Sequence, residues 1–452
     1  MHNRTNHKEK TSSKPKTIQK TRKHIVLTTY GSFGDLHPYM AIALELKSRG
    51  HRAVIATSEI YHHKIEAEGI EFHAVRPNGL INTEQEGAFL KLLVDCQRGS
   101  EYIINYQLMP HLRASYSDLM DAVYGADLLL THHLAFAGSL VAEKTGIPWV
   151  SSVLSPILFM SAYDSPSVST LPVSSYERAL EQVANDSRIR HFQWSARLWS
   201  APVRQLRAEL GLQPGYNPIF EGQHSPNLVL ALFSQVFTSS QPDWCPQTCV
   251  TGFPFYDRQN REGLSPELVN FLESGAPPIV FTLGSLMVWT PGNFYLEGAI
   301  AAQKLGYRAI LLMGQGVHHL PVEELPAGVL AVDYASHAKI FPRAAAIVHH
   351  GGVGTTGQAL RSGRPMLVVP YAHDQPDNAV RLVRLGVARM LERHQYTADR
   401  VASELKHLLC NPSYTARSTE VGDQIRAEDG VGVACDAIET YLDASVPTQL
   451  NS

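Results

Sequence analysis

Short apolar segments that alternate with helical segments constrain the fold of this chain more than any other feature. The first unit is the β-branched run at 24–29, a glycine-containing loop at 30–37, a helical segment opened by Pro38 and closed by Gly50, and the apolar run Ala53–Ala56. Proline early in a helix and glycine just past its end are the usual residues at helix termini. Strand, helix and strand within one short segment predict a βαβ unit, and hence a parallel sheet with buried strands.

The same alternation continues and then starts again in the C-terminal half. Further strands are predicted at Ile70–Val75, Asp127–Thr131, Trp149–Val153, Pro278–Leu283, Ala309–Met313, Ala345–His349 and Met366–Pro370. In the second half, helices are predicted at Asn293–Leu305, Gly354–Arg361 and Gln375–Leu385. Two series of βα units predict an α/β protein with two Rossmann-like, doubly wound domains facing across a cleft, where ligands bind beyond the carboxyl ends of the strands.

A segment rich in Ser, Pro and Gly separates the two series and sets the domain boundaries. The predicted parts are a flexible basic arm at 1–23, an N-terminal domain at 24–237, a connection at 238–256, a C-terminal domain at 257–425, and a C-terminal helix and tail at 426–452.

Charge and cysteine content exclude several classes of protein. The 39 Lys and Arg residues against 42 Asp and Glu residues give a net charge of −3, which argues against nucleic-acid binding and allows at most peripheral contact with a membrane. The five scattered cysteines do not form a disulfide framework, so a reducing compartment is expected.

No apolar run reaches the roughly 18 residues of a membrane span, and the basic arm lacks the apolar segment of a secretory signal. The expectation is a cytoplasmic protein.

The densest motif is the stretch 349–360, His-His-Gly-Gly-Val-Gly-Thr-Thr-Gly-Gln-Ala-Leu, which leads from a predicted strand into a predicted helix. Glycines let the backbone approach a ligand closely, and the free amides of a first helical turn attract an anion. Glycine spacing alone would also suit a plain strand–helix turn. The continuation favours a ligand site, because the next strand ends at the acid–amide pair Asp374-Gln375, which can bind vicinal sugar hydroxyls. Together the two segments predict a nucleotide sugar as ligand.

The block from His350 to Gln375 resembles the donor-binding signature of the family-one glycosyltransferases, the UDP-glycosyltransferase superfamily, whose fold is the two-domain GT-B type. The resemblance implies that His350 binds the pyrophosphate, that Asp374 and Gln375 bind the sugar hydroxyls, and that the phosphate loop includes Gly352, Gly354 and Thr355. It further implies that Ser285 contacts a phosphate and that Tyr334 and Ala335 contact the base.

The loop at 30–37 indicates which branch of this family the sequence resembles. Plant members usually carry a Gly-His pair there, with the histidine as catalytic base, whereas this sequence has Gly34-Asp35. That form resembles the sterol glucosyltransferases, the glycopeptide-antibiotic transferases and the rhamnosyltransferase of rhamnolipid synthesis. The resemblance implies that Asp35 replaces the histidine as the base.

A carboxylate is chemically suited to that role, because it can take the proton of an attacking hydroxyl in the transition state. His37, in the same turn, is the rival base, since an ordinary imidazole titrates nearer neutral pH. Asp35 also fits a helix N-cap, and both roles are compatible. His37, His132 and His133 are possible lining residues of the acceptor pocket, although ordinary packing explains the last two equally well.

The sequence thus predicts an inverting glycosyltransferase without a metal or other cofactor, acting on a nucleotide diphosphate sugar and a hydrophobic hydroxylated acceptor. UDP-glucose and dTDP-rhamnose both present the vicinal hydroxyls that Asp374 and Gln375 would bind. The histidines lack zinc-site spacing, so no metal ligands are predicted. A nucleotide-sugar epimerase or hydrolase and a non-catalytic nucleotide-sugar-binding protein remain open as alternatives.

Overall fold

Two parallel sheets form the framework of the computed structural model, which describes residues 21–79, 92–95, 98–164, 175–215, 217–257, 263–314 and 325–444. The first sheet has the order β3-β2-β1-β4-β5-β6-β7. Its strands are β1 His24–Thr28, β2 Arg52–Thr57, β3 Glu71–Ala74, β4 Leu128–His132, β5 Trp149–Val153, β6 Val229–Ala231 and β7 Thr248–Val250. The second has the order β10-β9-β8-β11-β12-β13. Its strands are β8 Ile279–Thr282, β9 Ala309–Leu312, β10 Val329–Val332, β11 Ala346–His349, β12 Met366–Val368 and β13 Ala388–Met390. The predicted pair of doubly wound α/β domains is confirmed.

Helices connect the strands and cover both sheets. In the first half they are α1 Phe33–Ser48, α2 His62–Ala67, α3 Gly99–Tyr102, α4 Leu112–Ala122, α5 Ala137–Thr145, α6 Ser175–Ser195 and α7 Ala201–Glu209. In the second half they are α8 Pro266–Glu273, α9 Phe294–Lys304, α10 His337–Ile340, α11 Val353–Ser362, α12 Gln375–Arg384, α13 Ala398–Cys410, α14 Pro412–Ala427 and α15 Gly430–Ala444. No helix among these described residues is long and apolar enough to cross a bilayer.

Strand register brings distant loops together at one edge of each sheet. Thr28 at the end of β1 lies opposite Thr131 in β4, so the loops after these strands meet. In the second sheet His349 at the end of β11 lies opposite Thr282 of β8 and Val368 of β12. Because all pairings are parallel, the loops that carry the predicted site residues emerge on the same side of each sheet.

Helix α1 begins earlier than the sequence pattern predicted. Its N-cap is Ser32, and Pro38 lies inside the helix instead of opening it. A proline in the helix lacks the N–H that would bond to the carbonyl four residues back, which here belongs to Gly34. At the start of the helix, the side chains of Ser32 and Asp35 form a capping box that satisfies backbone N–H groups of the first turn, so the loop expected at 30–37 is mostly helical.

Contacts far apart in sequence hold the two halves together. The Arg381 guanidinium, which is 4% exposed, contacts the Asp164 carboxylate and donates to the Thr238 hydroxyl (3.0 Å). Helix α15 returns to the first domain, where Ile438 lies in the same apolar cluster as Leu36. Strand β7 also pairs within the first sheet, although it lies in the segment 238–256 predicted as the connection.

Candidate active site

A cavity of about 740 Å³ lies between the carboxyl edges of the two sheets. Its first-domain wall includes Ser32, Phe33, Gly34, His37, Tyr61, Lys64, Leu154 and Leu232. Its second-domain wall includes Gly284, Ser285, Trp289, Asp333, Tyr334, Ala335, Gly354, Thr355 and Gln358. The cavity therefore brings together one of the predicted acceptor-pocket residues and five of the predicted donor-binding residues.

The loop that precedes α1 holds Asp35 in a fixed position. The Asp35 Oδ2 accepts hydrogen bonds from the Ser32 backbone N–H (2.7 Å) and from the Ser32 hydroxyl (3.2 Å). Gly31 has a φ of +136°, and a Cβ there would lie only 2.2 Å from the same carboxylate oxygen. The Tyr61 hydroxyl donates to the Gly31 carbonyl (2.7 Å). Asp35 is thus the third residue of the helix instead of its N-cap, and the Oδ1 atom points away from this network.

His132 lies behind Asp35, not on the cavity surface where a lining residue would be. It is fully buried, and its Nε2 is 3.4 Å from the Asp35 Oδ1. The Leu134 backbone N–H donates to its Nδ1 (3.3 Å), so a neutral ring carries its proton on the Nε2 that faces the carboxylate. The two atoms lie within ion-pair distance, but the His132 Nε2 makes no hydrogen bond in the described structure. Neither sequence spacing nor composition indicated that these residues lie side by side.

The other two candidate histidines occupy different surroundings. His37 lines the cavity between the rings of Phe33 (5.3 Å between centroids) and Tyr256 (5.1 Å). Burial, followed by the charges of Lys64 and His337, lowers the pKa of His37 to about 3, which makes it a poor proton acceptor near neutral pH. The His133 ring lies 3.9 Å from the His132 ring (between centroids) at an interplanar angle of 50°, and burial holds the pKa of His133 well below the ordinary value.

The glycine-rich segment forms the start of α11, as its sequence predicted. Gly352 is the N-cap, and no side chain caps the first turn, so the amides of that turn are free of a side-chain acceptor and face the cavity beside Gly354 and Thr355. Thr356 is fully buried, and its hydroxyl has no partner in the described structure. Free amides at a helix N-terminus favour a phosphate or another anion.

The His350 imidazole fits into a space that only glycines leave open. A Cβ on Gly352 would lie 2.4 Å from its Nε2, and a Cβ on Gly284 would lie 2.6 Å from its Cε1. The ring is 7% exposed, and its Nδ1 has no partner among the described residues. Burial, with a smaller effect of His337, lowers the pKa of His350 to about 3. His350 is therefore a neutral group with hydrogen-bonding capacity left for a ligand.

Hydrogen bonds fix both side chains of the Asp374-Gln375 pair. The Asn378 Nδ2 donates to the Asp374 Oδ2 (2.8 Å) and to the Gly351 carbonyl (2.9 Å). The Gln375 Oε1 accepts from the backbone N–H groups of Tyr371 (2.9 Å) and Ala372 (3.1 Å). Since that oxygen shapes the loop, the amide nitrogen is the end of Gln375 that remains for a sugar hydroxyl.

The two walls come close enough to influence each other electrostatically. Burial raises the pKa of Asp374 to about 7, against the opposing effect of its bond from Asn378, and the negative charge of Asp35 raises it further. A Cβ on Gly354 would lie 3.6 Å from the Gly34 Cα, so the first turns of α1 and α11 face each other. The proposed base and both donor-binding segments thus share one site.

Gln358 and His373 belong to the site, although the sequence pattern did not single them out. Gln358, one turn into α11, lines the cavity with a buried Oε1 that has no partner in the described structure, and an amide there can bind hydroxyls. His373 adopts a positive φ of 60°, and its Nδ1 lies 3.2 Å from the Ser100 hydroxyl of the other domain. A strained non-glycine residue next to Asp374 is a feature that sequence spacing does not reveal.

Metal-ligating side chains do not gather at the site in the part of the chain that the structure describes. That part contains no group of three or more His, Cys, Asp or Glu residues placed to hold an ion.

Two family profiles match this chain. Residues 25–163 match the glycosyltransferase family 28 N-terminal domain. Residues 308–432 match the C-terminal domain described as erythromycin biosynthesis protein CIII-like.

Similar proteins align with nearly the whole chain. It is 30% identical over 433 residues to the O-mycaminosyltylonolide 6-deoxyallosyltransferase of Streptomyces fradiae, covering 93% of this chain and 97% of that protein. It is 28% identical over 444 residues to the sterol 3-beta-glucosyltransferase of Neurospora crassa, where the match covers 93% of this chain and only 27% of the longer protein.

Solved structures share the fold at lower identity. The glycotransferase of kitacinnamycin superposes with a TM-score of 0.65 at 23% identity, covering 93% of this chain and 99% of that one. The calicheamicin glycosyltransferase gives a TM-score of 0.68 at 17% identity, covering 94% and 100%.

Proposed function

The chain belongs to the family-one glycosyltransferases of the UDP-glycosyltransferase superfamily, and we propose that it is an inverting enzyme that needs no metal ion. In this proposal it transfers a hexose from a nucleotide diphosphate sugar to a hydroxyl of a hydrophobic small-molecule or lipid acceptor. The observation that carries the proposal is the close approach of the first turn of α1, which holds Asp35, to the first turn of α11, where a Cβ on Gly354 would lie 3.6 Å from the Gly34 Cα.

The second domain supplies the donor site. The diphosphate binds the free amides at the start of α11, together with Thr355, Ser285 and the neutral His350 imidazole. The base lies against Tyr334 and Ala335, and the Gln358 amide binds ribose hydroxyls. The sugar hydroxyls bind Asp374 and the amide nitrogen of Gln375. Helix amides stabilise the charge that develops on the leaving diphosphate.

Asp35 supplies the proton acceptor from the opposite wall. The acceptor oxygen attacks the anomeric carbon, its proton passes to the Asp35 carboxylate, and the carbon–oxygen bond to the diphosphate breaks with its electron pair remaining on the phosphate oxygen. The base and the leaving group occupy opposite walls of the cleft, so the attack occurs on the face away from the diphosphate. A single displacement of this geometry inverts the anomeric configuration.

His132 acts as a positioning residue in this scheme. Its buried Nε2 lies 3.4 Å from the Asp35 Oδ1 and has no hydrogen-bond partner in the described structure, while the Ser32 backbone N–H donates to Oδ2. The imidazole is therefore placed to orient the carboxylate. A base that is itself oriented by a third group is the general arrangement of activated nucleophiles in enzymes.

The donor and acceptor classes follow from the relatives and from the cavity wall. The Streptomyces relative is named for transfer of a 6-deoxyhexose to O-mycaminosyltylonolide, and the Neurospora relative for transfer of glucose to a sterol. The first-domain wall offers Ile60, Leu154 and Leu232 to an acceptor. We therefore propose UDP-glucose or a dTDP-6-deoxyhexose such as dTDP-rhamnose as donor, and a hydroxylated apolar acceptor.

The test is release of nucleoside diphosphate from UDP-glucose and from dTDP-rhamnose, with and without a mixed pool of macrolide, sterol, lipid and flavonoid alcohols. Acceptor-dependent release with a matching mass gain on one alcohol, lost in Asp35→Asn, supports the proposal. Release that ignores the alcohols would favour a hydrolase or epimerase. Binding of the donor without any product would favour a non-catalytic binding protein.

A further inference from the structure

Lys64, on the short helix α2, extends a cation into the cleft from the first domain. It lines the cavity and is half-buried. Its Nζ lies 5.2 Å from the centroid of the Phe33 ring and 5.7 Å from that of the Tyr256 ring. Two aromatic faces stabilise an ammonium group but do not neutralise it.

The ammonium lacks a carboxylate partner in the described structure. No Asp or Glu oxygen of the described residues lies within 4.0 Å of the Lys64 Nζ, and the Glu68 carboxylate acts on it only at longer range. Burial lowers the pKa of Lys64, which shows that the site disfavours the charge when nothing is bound. A partly desolvated cation without a counter-ion costs free energy that an anionic ligand would recover.

The N-terminal end of α11 lines the same cavity as this lysine. Phe33, under the Lys64 ammonium, precedes Gly34, which faces Gly354 in the first turn of α11. The loop that leads into α11 carries His350, whose Nδ1 is buried and has no partner among the described residues. An anion bound there meets the helix amides and His350 on one side and the ammonium on the other.

We propose that Lys64 is the first domain's ligand for the donor diphosphate, and that it contacts the phosphate attached to the sugar. The assignment to that phosphate follows from position, because the ring beneath Lys64 lies two residues from Asp35, which the proposed function places at the reacting carbon. The inference rests on the proposed function, since it requires a nucleotide diphosphate sugar in this cleft.

Lys64 would thereby do two things for the reaction. It offsets charge on the leaving diphosphate, a role that a divalent cation fulfils in other phosphate-transfer sites. It also links the domains, since one phosphate is held by α2 from the first domain and by α11 from the second. Binding of the diphosphate would then draw the walls of the cleft together.

The experiment measures binding of UDP, UMP, uridine, dTDP, dTMP and thymidine by calorimetry to the wild type, Lys64→Met and Lys64→Arg. We expect diphosphate affinity to fall about tenfold to a hundredfold in Lys64→Met, because a hydrogen bond to a charged group is lost. Affinity for the monophosphates and nucleosides should change less than threefold, and Lys64→Arg should recover most of the diphosphate affinity. Lys304→Met is the matched control, since Lys304 pairs with Asp399 on the outer surface.

The outcomes separate this inference from the proposed function. Unchanged diphosphate affinity in a folded Lys64→Met protein would overturn the role of Lys64 and leave the donor site intact. An equal loss for diphosphate, monophosphate and nucleoside would also overturn it, because Lys64 would then act on the nucleoside or on the fold. A wild type that binds none of the six compounds would overturn the proposed function and this inference together. The unfolding temperature of each variant without ligand shows whether the variant is folded.

Discussion

The two walls of the cleft are built in different ways. On the C-terminal wall, most of the donor-binding residues come from one continuous stretch between His350 and Gln375, and the loops after two adjacent strands carry them. On the N-terminal wall, the base candidate Asp35 lies beside His132, which is distant in sequence, while Lys64 lines the cavity from a different helix.

This difference shows which kind of interaction each wall uses, and therefore whether its variants should change donor affinity or turnover. In the proposed function the C-terminal wall binds the donor with backbone amides and close glycine contacts, which local sequence determines, so variants of this wall should change donor affinity. The N-terminal wall works with single side chains positioned by tertiary packing, so its variants at Asp35 and His132 should change turnover while donor affinity stays nearly constant.

Asp35→Asn should have the largest effect and test the N-terminal wall directly. We expect kcat to fall by about 10²- to 10⁴-fold, the usual contribution of a general base, with UDP or dTDP affinity within about threefold of wild type. Steady-state kinetics and calorimetry measure the two quantities. Near wild-type turnover in the folded variant would remove Asp35 from the chemistry.

Gly352→Ala should test the C-terminal wall. The new Cβ would lie 2.4 Å from the His350 Nε2, and the displaced imidazole should reduce nucleoside diphosphate affinity by about tenfold or more, since overpacking costs about 1–3 kcal/mol. Gly263→Ala is the control, because a Cβ there would meet nothing within 4 Å. Equal affinities for both variants would contradict the tight fit around His350.

His132→Leu should lower kcat by about tenfold while the donor KM changes little, because the Asp35 carboxylate loses the group that orients it. His132→Gln keeps an N–H donor and should recover part of the activity. A fall in kcat of the same size in both variants, with loss of thermal stability, would assign His132 to packing alone.

Asp374 should give the smallest effect, visible as a pH dependence of donor binding. Its pKa of about 7 means that the carboxyl is protonated below neutrality and gains acceptor capacity as the pH rises. We expect affinity for the nucleotide sugar to be about threefold to tenfold higher at pH 8 than at pH 6, a trend that Asp374→Asn abolishes. Asp35→Asn removes a neighbouring negative charge and should shift the midpoint to lower pH. A pH-independent wild type would contradict the involvement of the Asp374 carboxylate.

Much of the fold was predictable because buried parallel strands leave a strong local signal. The strand Trp149–Val153 was predicted with the bounds that the structure shows. The short strands β6, β7, β10 and β13 were not predicted, because three or four residues rarely show a clear period. The equally short β12 was predicted only as part of the longer apolar run Met366–Pro370. The early start of α1 was also missed, although Ser32 followed three residues later by Asp35 is a capping signal present in the sequence.

The site residues show the same contrast between features formed by consecutive residues and features formed by contacts distant in sequence. The helix turn at Gly352–Thr355 and the segment ending in Asp374-Gln375 were predictable, because each is formed by consecutive residues. The partner of Asp35 was not, because it comes from a strand that pairs with β1 across a hundred residues. The same holds for the contact of Asn378 with the Ser155 hydroxyl of the other domain (3.1 Å).

The sequence by itself determined the two doubly wound domains, the family and the residues of the donor wall. Strand burial, helix ends and glycine turns depend on interactions among neighbouring residues, and these leave a readable pattern. Only the tertiary structure decided that His132 faces Asp35, that Asp35 raises the pKa of Asp374, and that Lys64 faces the cleft without a carboxylate partner in the described structure. Those relations depend on distances between chain segments, which strand order and domain packing set.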